Sequence, residues 1–397
     1  GEDGVAEDGR SFSRYIYTAP VDQASIFAGN LDLTGKFATA GAEHDFLVGF
    51  DYFNQKQWLT GFIGDPTDIF GASFPTTIDI YNPVRVQAPY PSPAQFNSFT
   101  KRGQEWVGAY FQDQITLWDR LHILGGGRFD WANVISGSAS DIAEYRNLLL
   151  QVTPEHAFSP RVGVLYQIEP WLSVYGSYSE AFSASNGRGF GDVVLPAQTA
   201  EQFEAGAKAL VLDGRLLATL ALFDLTKQNL RLADPAHPGY SIAIGEARSR
   251  GVELDISGQV TESLNVIASY AATDAKITKD SKNQGHRLYG APAHAGSVWA
   301  SYEIKAGDLA GLSFGAGVFA AGERQGDNAN SYQLPAYATV DIGAGYSWKF
   351  AGVRYEARLK INNLLDAYYF AWPGHGDRAG AMPGPPRTVL GSIRAEF

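Results

Sequence analysis

The chain has 397 residues with a formal net charge of -11, and that acidic balance argues against a nucleic-acid partner, which needs a basic face for phosphates. It contains no cysteine, which excludes disulfides, thiolate metal sites and thiol nucleophiles. Charged residues make up only 18%, aromatic residues 13%, and 44 positions are glycine.

There is no run of 18 apolar residues, so no transmembrane helix is expected. A membrane is not excluded, because a spanning barrel strand needs only roughly 9 to 11 alternating residues. That alternation is present almost everywhere. It predicts about fifteen strands, near 11–38, 44–58, 104–118, 121–133, 157–169, 171–182, 199–211, 215–229, 242–258, 262–277, 293–305, 310–322, 335–349, 352–364 and 385–397. In the first, Tyr15, Tyr17, Val21, Phe27, Leu31, Leu33 and Phe37 keep one parity across Pro20, which predicts a single long strand. Further on, Leu172, Val174 and Tyr178 oppose Ser173, Tyr175, Ser177 and Ser179. Leu264, Val266, Ala268, Tyr270 and Ala272 oppose Asn265, Ser269 and Thr273. Val353, Tyr355, Ala357, Leu359 and Ile361 oppose four charged residues, Arg354, Glu356, Arg358 and Lys360. The last strand puts Val389, Gly391, Ile393, Ala395 and Phe397 on one face and runs to the final residue. Successive strand side chains point to opposite faces, so each of these strands has one apolar and one wet side.

The connections alternate too. Asp119-Arg120, Glu169-Pro170 and Asp213-Gly214 are tiny, whereas 59–103, 134–156, 183–198, 278–292 and 366–384 are long. Short turns on one side and long loops on the other describe an antiparallel transmembrane β-barrel of the outer membrane with its long loops outside. Trp118, Trp131, Trp171 and Trp348 at strand ends suit interfacial girdles. Bacterial single-chain barrels have an even strand number. An odd count predicts that residues 1–397 are the C-terminal part of a larger barrel.

Motifs of chemistry do not find their context. Gly311-Leu-Ser-Phe-Gly315 has the G-x-S-x-G spacing of a nucleophile elbow, but it sits inside an alternating strand with no helix after it. Gly125-Gly-Gly127 also lies in a strand, where glycine marks a bend or a close approach. The histidines form no H-E-x-x-H, and only His375 stands in a long loop as a lone ligand candidate. No enzymatic activity, resident cofactor or protein metal site is expected. The long loops carry exposed aromatics instead: Phe62, Phe70, Phe74, Tyr81, Tyr90 and Phe96, then Phe182 and Phe190, then Tyr369, Phe370 and Trp372. As a set they suggest a ligand with apolar surface and little net charge.

Six segments in order resemble one family: Gly127-Arg-Phe-Asp-Trp131, Phe158-Ser-Pro-Arg-Val-Gly163, Tyr178-Ser-Glu-Ala-Phe182, Glu201-Gln-Phe-Glu-Ala-Gly206, Gly245-Glu-Ala-Arg-Ser-Arg-Gly-Val-Glu-Leu254 and Asn362-Asn-Leu-Leu-Asp366. With the terminal Phe397 they are similar to the barrel of TonB-dependent siderophore receptors, in particular the ferrichrome (hydroxamate) type. The resemblance implies a barrel of about 22 strands closed by an N-terminal plug, so that the plug and about seven early strands are absent from these residues. It implies uptake of a ferric hydroxamate siderophore driven by the TonB complex through that missing region, with the iron held by the chelator. Outer-membrane lipid and lipopolysaccharide would surround it. Position by position, it implies ligand contacts at Tyr90 and Phe182, then at Tyr81 and Trp372. The loop before the last strand lacks the cysteine pair often found in that branch. The rival readings are a passive porin, a haem or cobalamin receptor, and a surface enzyme in a barrel.

Overall fold

The structure is a computed structural model. It describes the chain except residues 1–9, 14–15, 19–20, 65–76, 80–81, 83–95, 185–186, 235, 238–239, 375–380 and 397. In chain order the strands are β1 (Ser11–Ser13), β2 (Ile16–Thr18), β3 (Val21–Thr39), β4 (Ala42–Gly64), β5 (Thr77–Asp79), β6 (Ser98–Leu117) and β7 (Leu121–Ala139). A one-turn helix α1 (Ile142–Arg146) precedes β8 (Gln151–Glu169), β9 (Leu172–Ser183), β10 (Gln198–Val211), β11 (Leu216–Ala233), β12 (Ser241–Gln259), β13 (Leu264–Lys279), β14 (His294–Glu303) and β15 (Leu312–Ala321). The rest are β16 (Arg324–Gln325), β17 (Gln333–Leu334), β18 (Tyr337–Phe350), β19 (Val353–Asn362), β20 (Phe370–Trp372), β21 (Met382–Pro383) and β22 (Thr388–Glu396).

One sixteen-stranded antiparallel sheet contains all the long strands, each beside its sequence neighbour from β3 to β22. The remaining short strands pair in twos: β1 with β5, β16 with β17 and β20 with β21. Short turns alternate with long loops throughout. The short ones include 40–41, 118–120, 170–171, 212–215 and 351–352, whereas 65–97, 184–197 and 363–387 are long. At two of the short turns, Ala40-Gly41 and Ala351-Gly352, both residues have positive φ, near 49° and 83°. That is the primed turn that matches the twist of a two-residue hairpin, and glycine takes its second position at no steric cost.

Two expectations need correction. Of residues 11–38, β1 pairs with β5, whereas β2 and β3 both pair with β4 in one register, from Ile16 opposite Gly64 to Val21 opposite Leu59, on either side of residues 19–20, which lie outside the described residues. The β3–β4 register then shifts by one residue between Val21 and Gln23, a bulge. Several strands also reach further than the alternation suggested, with β4 running to Gly64 and β7 to Ala139. Above the membrane both faces are wet, so backbone pairing continues after the apolar period has stopped.

The register sorts the side chains into rows. Leu31, Phe50, Ala109, Phe129 and Phe158 are successive cross-strand partners, and so are Asp32, Gly49, Tyr110, Arg128 and Ser159 one step along on the other face. The apolar row is not covered by any second layer: Leu31 is 75% exposed and Phe158 48%. Such a face is stable only against hydrocarbon. It ends in aromatic belts. On the short-turn side Trp118 and Trp171 are exposed, and Trp348 stacks on Tyr346 and Tyr355. On the other side Phe129 and Trp131 pack at 4.4 Å. Ten steps separate Leu121 from Trp131 on β7. At about 3.3 Å per residue and about 40° of tilt they rise roughly 25 Å, the height of an apolar barrel band.

The polar face is concave. The rings of Trp106 on β6 and Phe182 on β9 lie 5.5 Å apart, although two strands intervene. On a flat sheet three strand spacings would hold their backbones about 14 Å apart.

This arrangement makes mutational sensitivity depend on the face. Leu220, 47% exposed on the apolar face of β11, should tolerate arginine poorly. Leu220→Arg is expected to lower stability in reversible vesicle refolding by ~2–4 kcal/mol. Ser177→Arg, on the polar face opposite Glu204, should cost far less. Equal losses at both positions would contradict the assignment of faces.

Candidate ligand-binding site

The concave face carries two adjoining hollows on the β4 to β9 wall. The lower, of about 680 Å³, is lined by Asp51, Trp106, Tyr110, Arg128, Asp130 and Phe182 among others. Its centre is Arg128, which donates to both carboxylate oxygens of Asp51 and, over 2.7 Å, to Asp130. Asp130 is 5% exposed. A carboxylate so covered must be paired and hydrogen-bonded to stay charged. The guanidinium lies over Gly108, where an added Cβ would sit 2.0 Å from Nη2, so a larger residue there would push the Arg128 side chain aside. The Tyr110 hydroxyl donates to Asp32, and the Tyr110 ring lies 5.5 Å from the Arg128 guanidinium carbon.

The upper hollow, of about 450 Å³, is lined by Gln55, Gln57, Arg102, Gln104, Arg188 and Arg231, with other small and polar residues. Gln104 donates to Gln55 over 2.8 Å and accepts from the Trp106 indole N–H over 3.2 Å. Arg231 donates to Ser241 over 2.8 Å. The 184–197 loop folds back to form part of this wall. It is pinned by the Asn229 amide on the Ala197 carbonyl and by two backbone bonds between Gly187, Gly189, Val193 and Leu195. β9 leaves β8 after Ser179 but stays with β10 up to Ser183, and this frees Phe182 to reach Trp106.

Elsewhere the long loops pack on one another. Phe190 stacks on His237 at 3.7 Å and meets Tyr240 edge-on at 5.2 Å. The Asp234 carboxylate accepts from His237, which lowers its pKa below the ordinary 3.8, and the Ala236 N–H adds to the shift. In the C-terminal half Arg324, 4% exposed, donates to the carbonyls of Phe370 and Ala371 and lies over the Tyr337 ring. Tyr337 stacks on Tyr369 at 4.3 Å. Trp372 packs against Tyr289 of the neighbouring loop, with their rings 5.8 Å apart.

Of the four aromatic residues singled out by resemblance, Phe182 lies in the lower hollow and Trp372 in the loop-to-loop cluster. The structure does not bring these two together. Tyr81 and Tyr90 lie outside the described residues, as do His375 and the side chain of Phe62. The two hollows also contain residues not singled out, above all Arg102, Gln104, Trp106 and Arg231. Their signal was available: Arg102, Gln104 and Trp106 share the inward parity of β6. Among the described residues no three His, Asp or Glu side chains gather as a metal site. Gly311–Gly315 runs from a turn into β15, where the Ser313 hydroxyl donates to the Gly345 carbonyl and Gly315 lies beneath the Trp299 indole. The grooves on the apolar face, such as the one along Val164, Tyr178 and Leu222, lie where acyl chains pack.

A curved antiparallel sheet with an uncovered apolar face, two aromatic belts and a wet concave side is the wall of an outer-membrane β-barrel. The chain belongs to the TonB dependent receptor-like, beta-barrel family, whose sequence model matches residues 4–364. It is 34% identical to the metal-pseudopaline receptor CntO of Pseudomonas aeruginosa, over 99% of this chain and 54% of that protein. It is 31% identical to the ferrichrome outer membrane transporter/phage receptor of Escherichia coli, over 96% of this chain and 50% of that protein. The chain thus spans about half the length of these relatives. In fold it is similar to BauA, the ferric preacinetobactin receptor of Acinetobacter baumannii, with a TM-score of 0.81 at 23% identity over 99% of this chain and 57% of that one. These residues lie in the bacterial outer membrane.

Two measurements test the packing. Arg128→Met leaves Asp51 and Asp130 facing each other without their cation and should cost ~1–3 kcal/mol of stability. Adding Asp51→Asn and Asp130→Asn should recover much of that loss, which thermal unfolding would show. The Asp234 contact contributes stability above the unfolded carboxyl value and loses it as pH falls through the lower folded value. The protection factors for hydrogen exchange in 184–197 and 234–240, which divide out the intrinsic pH dependence of amide exchange, should therefore fall below about pH 4. In Asp234→Ala protection should be lower already at neutral pH and change little with acid.

Proposed function

We propose that these residues are the C-terminal barrel part of an outer-membrane receptor for TonB-dependent uptake of a metal chelated by a siderophore. The observation that carries the reading is a ligand-sized hollow on the concave face, bounded by an aromatic pair and by hydrogen-bonding side chains. Such a site holds a chelate by its outer surface, and the metal stays with the chelator. No covalent chemistry is asked of the protein. Coupling would come from a plug domain and TonB, neither of which the described residues supply.

The finer reading is a ferric hydroxamate of ferrichrome type. The 31% identity to the ferrichrome transporter supports it, and so does a 30% identity to the ferrioxamine B receptor of Salmonella typhimurium. The metal-pseudopaline receptor, at 34%, supports a different chelate to a similar degree. Phe182 against Trp106 gives an apolar edge for either. Tyr81, Tyr90 and Trp372 remain proposed contacts from neighbouring loops. A passive porin has no use for a paired aromatic edge. A haem receptor would want exposed histidines, but His237, His286 and His294 are each tied to Asp234, Asn328 and Tyr270.

Titration of the full-length receptor with ferric siderophores, followed by tryptophan fluorescence, tests the proposal. Quenching at micromolar concentration is expected for at least one chelate, together with iron-limited growth that depends on both the receptor and TonB. Phe182→Ala should weaken binding by ~1–3 kcal/mol. Silence across hydroxamate, catecholate and carboxylate chelates would falsify uptake. Unchanged affinity in Phe182→Ala would return that ring to loop packing.

A further inference from the structure

We infer that Gln104 is the positioning residue of the aromatic edge, and that the Gln55–Gln104 amide pair ties this edge to the upper hollow. The inference rests on the uptake reading above and deepens it by naming what holds the Trp106 ring ready for a chelate. Gln104 and Trp106 are two residues apart on β6, so their side chains share the concave face. Gln104 lines the upper hollow and Trp106 the lower. The Trp106 indole N–H donates to the Gln104 carbonyl oxygen over 3.2 Å, and the Gln104 amide nitrogen donates to the Gln55 carbonyl oxygen over 2.8 Å. An indole nitrogen can only donate, so a half-buried tryptophan needs one acceptor, and here Gln104 supplies it.

Both ends of the Gln104 amide are used, and only in one orientation. Turned over, it would set its NH2 against the indole N–H and its oxygen against the Gln55 oxygen. Gln55 thus fixes the amide, and the amide fixes the ring. The other constraints on the ring are steric. Gly108, the next concave-face residue of β6, is covered by the Arg128 guanidinium, which closes the space into which the indole could swing down. Ala132 stands opposite Trp106 on β7 and is 2% exposed, so a methyl group and no larger side chain lies on the way toward β9. There the indole meets Phe182 at 61° and 5.5 Å, on the end of β9 that β8 no longer pairs. Such a ring pair attracts but orients weakly, because edge-on and offset arrangements are both favourable. A hydrogen bond is directional and sets the tilt of the indole, hence the part of its face that the lower hollow presents. A ring already held costs a ligand less ordering than one that must first be immobilised. The amide pair therefore contributes to the affinity for a chelate seated on the edge below it.

The test uses the full-length receptor in detergent and two readouts. The first needs no ligand: fluorine NMR of receptor carrying fluorotryptophan, with the Trp106 resonance assigned by its loss in Trp106→Phe. Gln104→Leu should shift and broaden that resonance and leave the other tryptophans unchanged. Gln104→Glu keeps an acceptor for the indole and should restore it. Gln55→Leu, which does not touch the ring, should split it into two environments as the amide turns over. The second readout is affinity for radioiron-labelled ferrichrome, ferrioxamine B and ferric citrate. Gln104→Leu should weaken whichever probe binds ~3- to 10-fold, the worth of one hydrogen bond. In a Trp106→Phe background, which keeps a ring but has no N–H, the same change should alter affinity by less than ~2-fold. Equal losses in both backgrounds, or an unmoved Trp106 resonance in Gln104→Leu, would overturn this inference and leave the uptake reading standing. Retention of none of the three probes, with other ferric siderophores also silent, would overturn both.

Discussion

In hydrocarbon no water is available to satisfy an exposed N–H or C=O, so every backbone polar group must find a partner in the protein. The antiparallel ladder meets that demand for every long strand between β3 and β22, each bonded to both neighbours along most of its length, while among the described residues β3 pairs only with β4 and β22 only with β19. Once the backbone is fixed this way, the side chains have no freedom of face. The row through Leu31, Phe50 and Phe158 must be apolar because lipid is its only neighbour. The row through Asp32, Tyr110 and Arg128 can be ionic because its neighbours are one another. A single-residue slip would exchange the two rows. The short turns at 40–41 and 351–352 oppose such a slip, since their left-handed residue pairs allow essentially one hairpin register.

That constraint explains why so much of the wall could be read from the sequence. Period-two alternation located fifteen strands and the side on which the long loops lie, and Trp118, Trp171 and Trp348 stand at the belt as expected. The reading failed where lipid stops imposing the period. β4 and β7 run on past their apolar stretches because hydrogen bonding, not hydropathy, decides where a ladder ends. The first strand failed for a different reason. The part from Ile16 onward follows β4 as the alternation suggested, but β1 pairs with β5 instead, and a change of partner leaves no trace in parity.

The site was less legible than the wall. Aromatic residues draw attention in a sequence, and Phe182 does line the lower hollow. Phe190 and Trp372 turn out to pack against His237 and Tyr289, so an aromatic ring in a long loop is as readily a strut as a contact. The arginines could not be found as a group. Arg102, Arg188 and Arg231 are far apart in the chain, and only the curvature that brings Trp106 against Phe182 also brings them together. No period or motif encodes that curvature.

The two hollows therefore differ in kind although they share one wall. The lower is electrostatically closed. Arg128 spends its donors on Asp51 and Asp130, and Gly108 leaves room for the guanidinium, so the group stiffens the barrel and has little left for a ligand. The upper is more open, with Arg102 and Arg231 exposed and the Gln104–Gln55 amide pair as its floor. An exposed guanidinium gains only modest energy from a partner because water and salt screen it. In the proposed uptake role this is an advantage. A site that must release its cargo gains specificity from several screened charges acting together, and it avoids the slow dissociation that one deeply buried ion pair would impose.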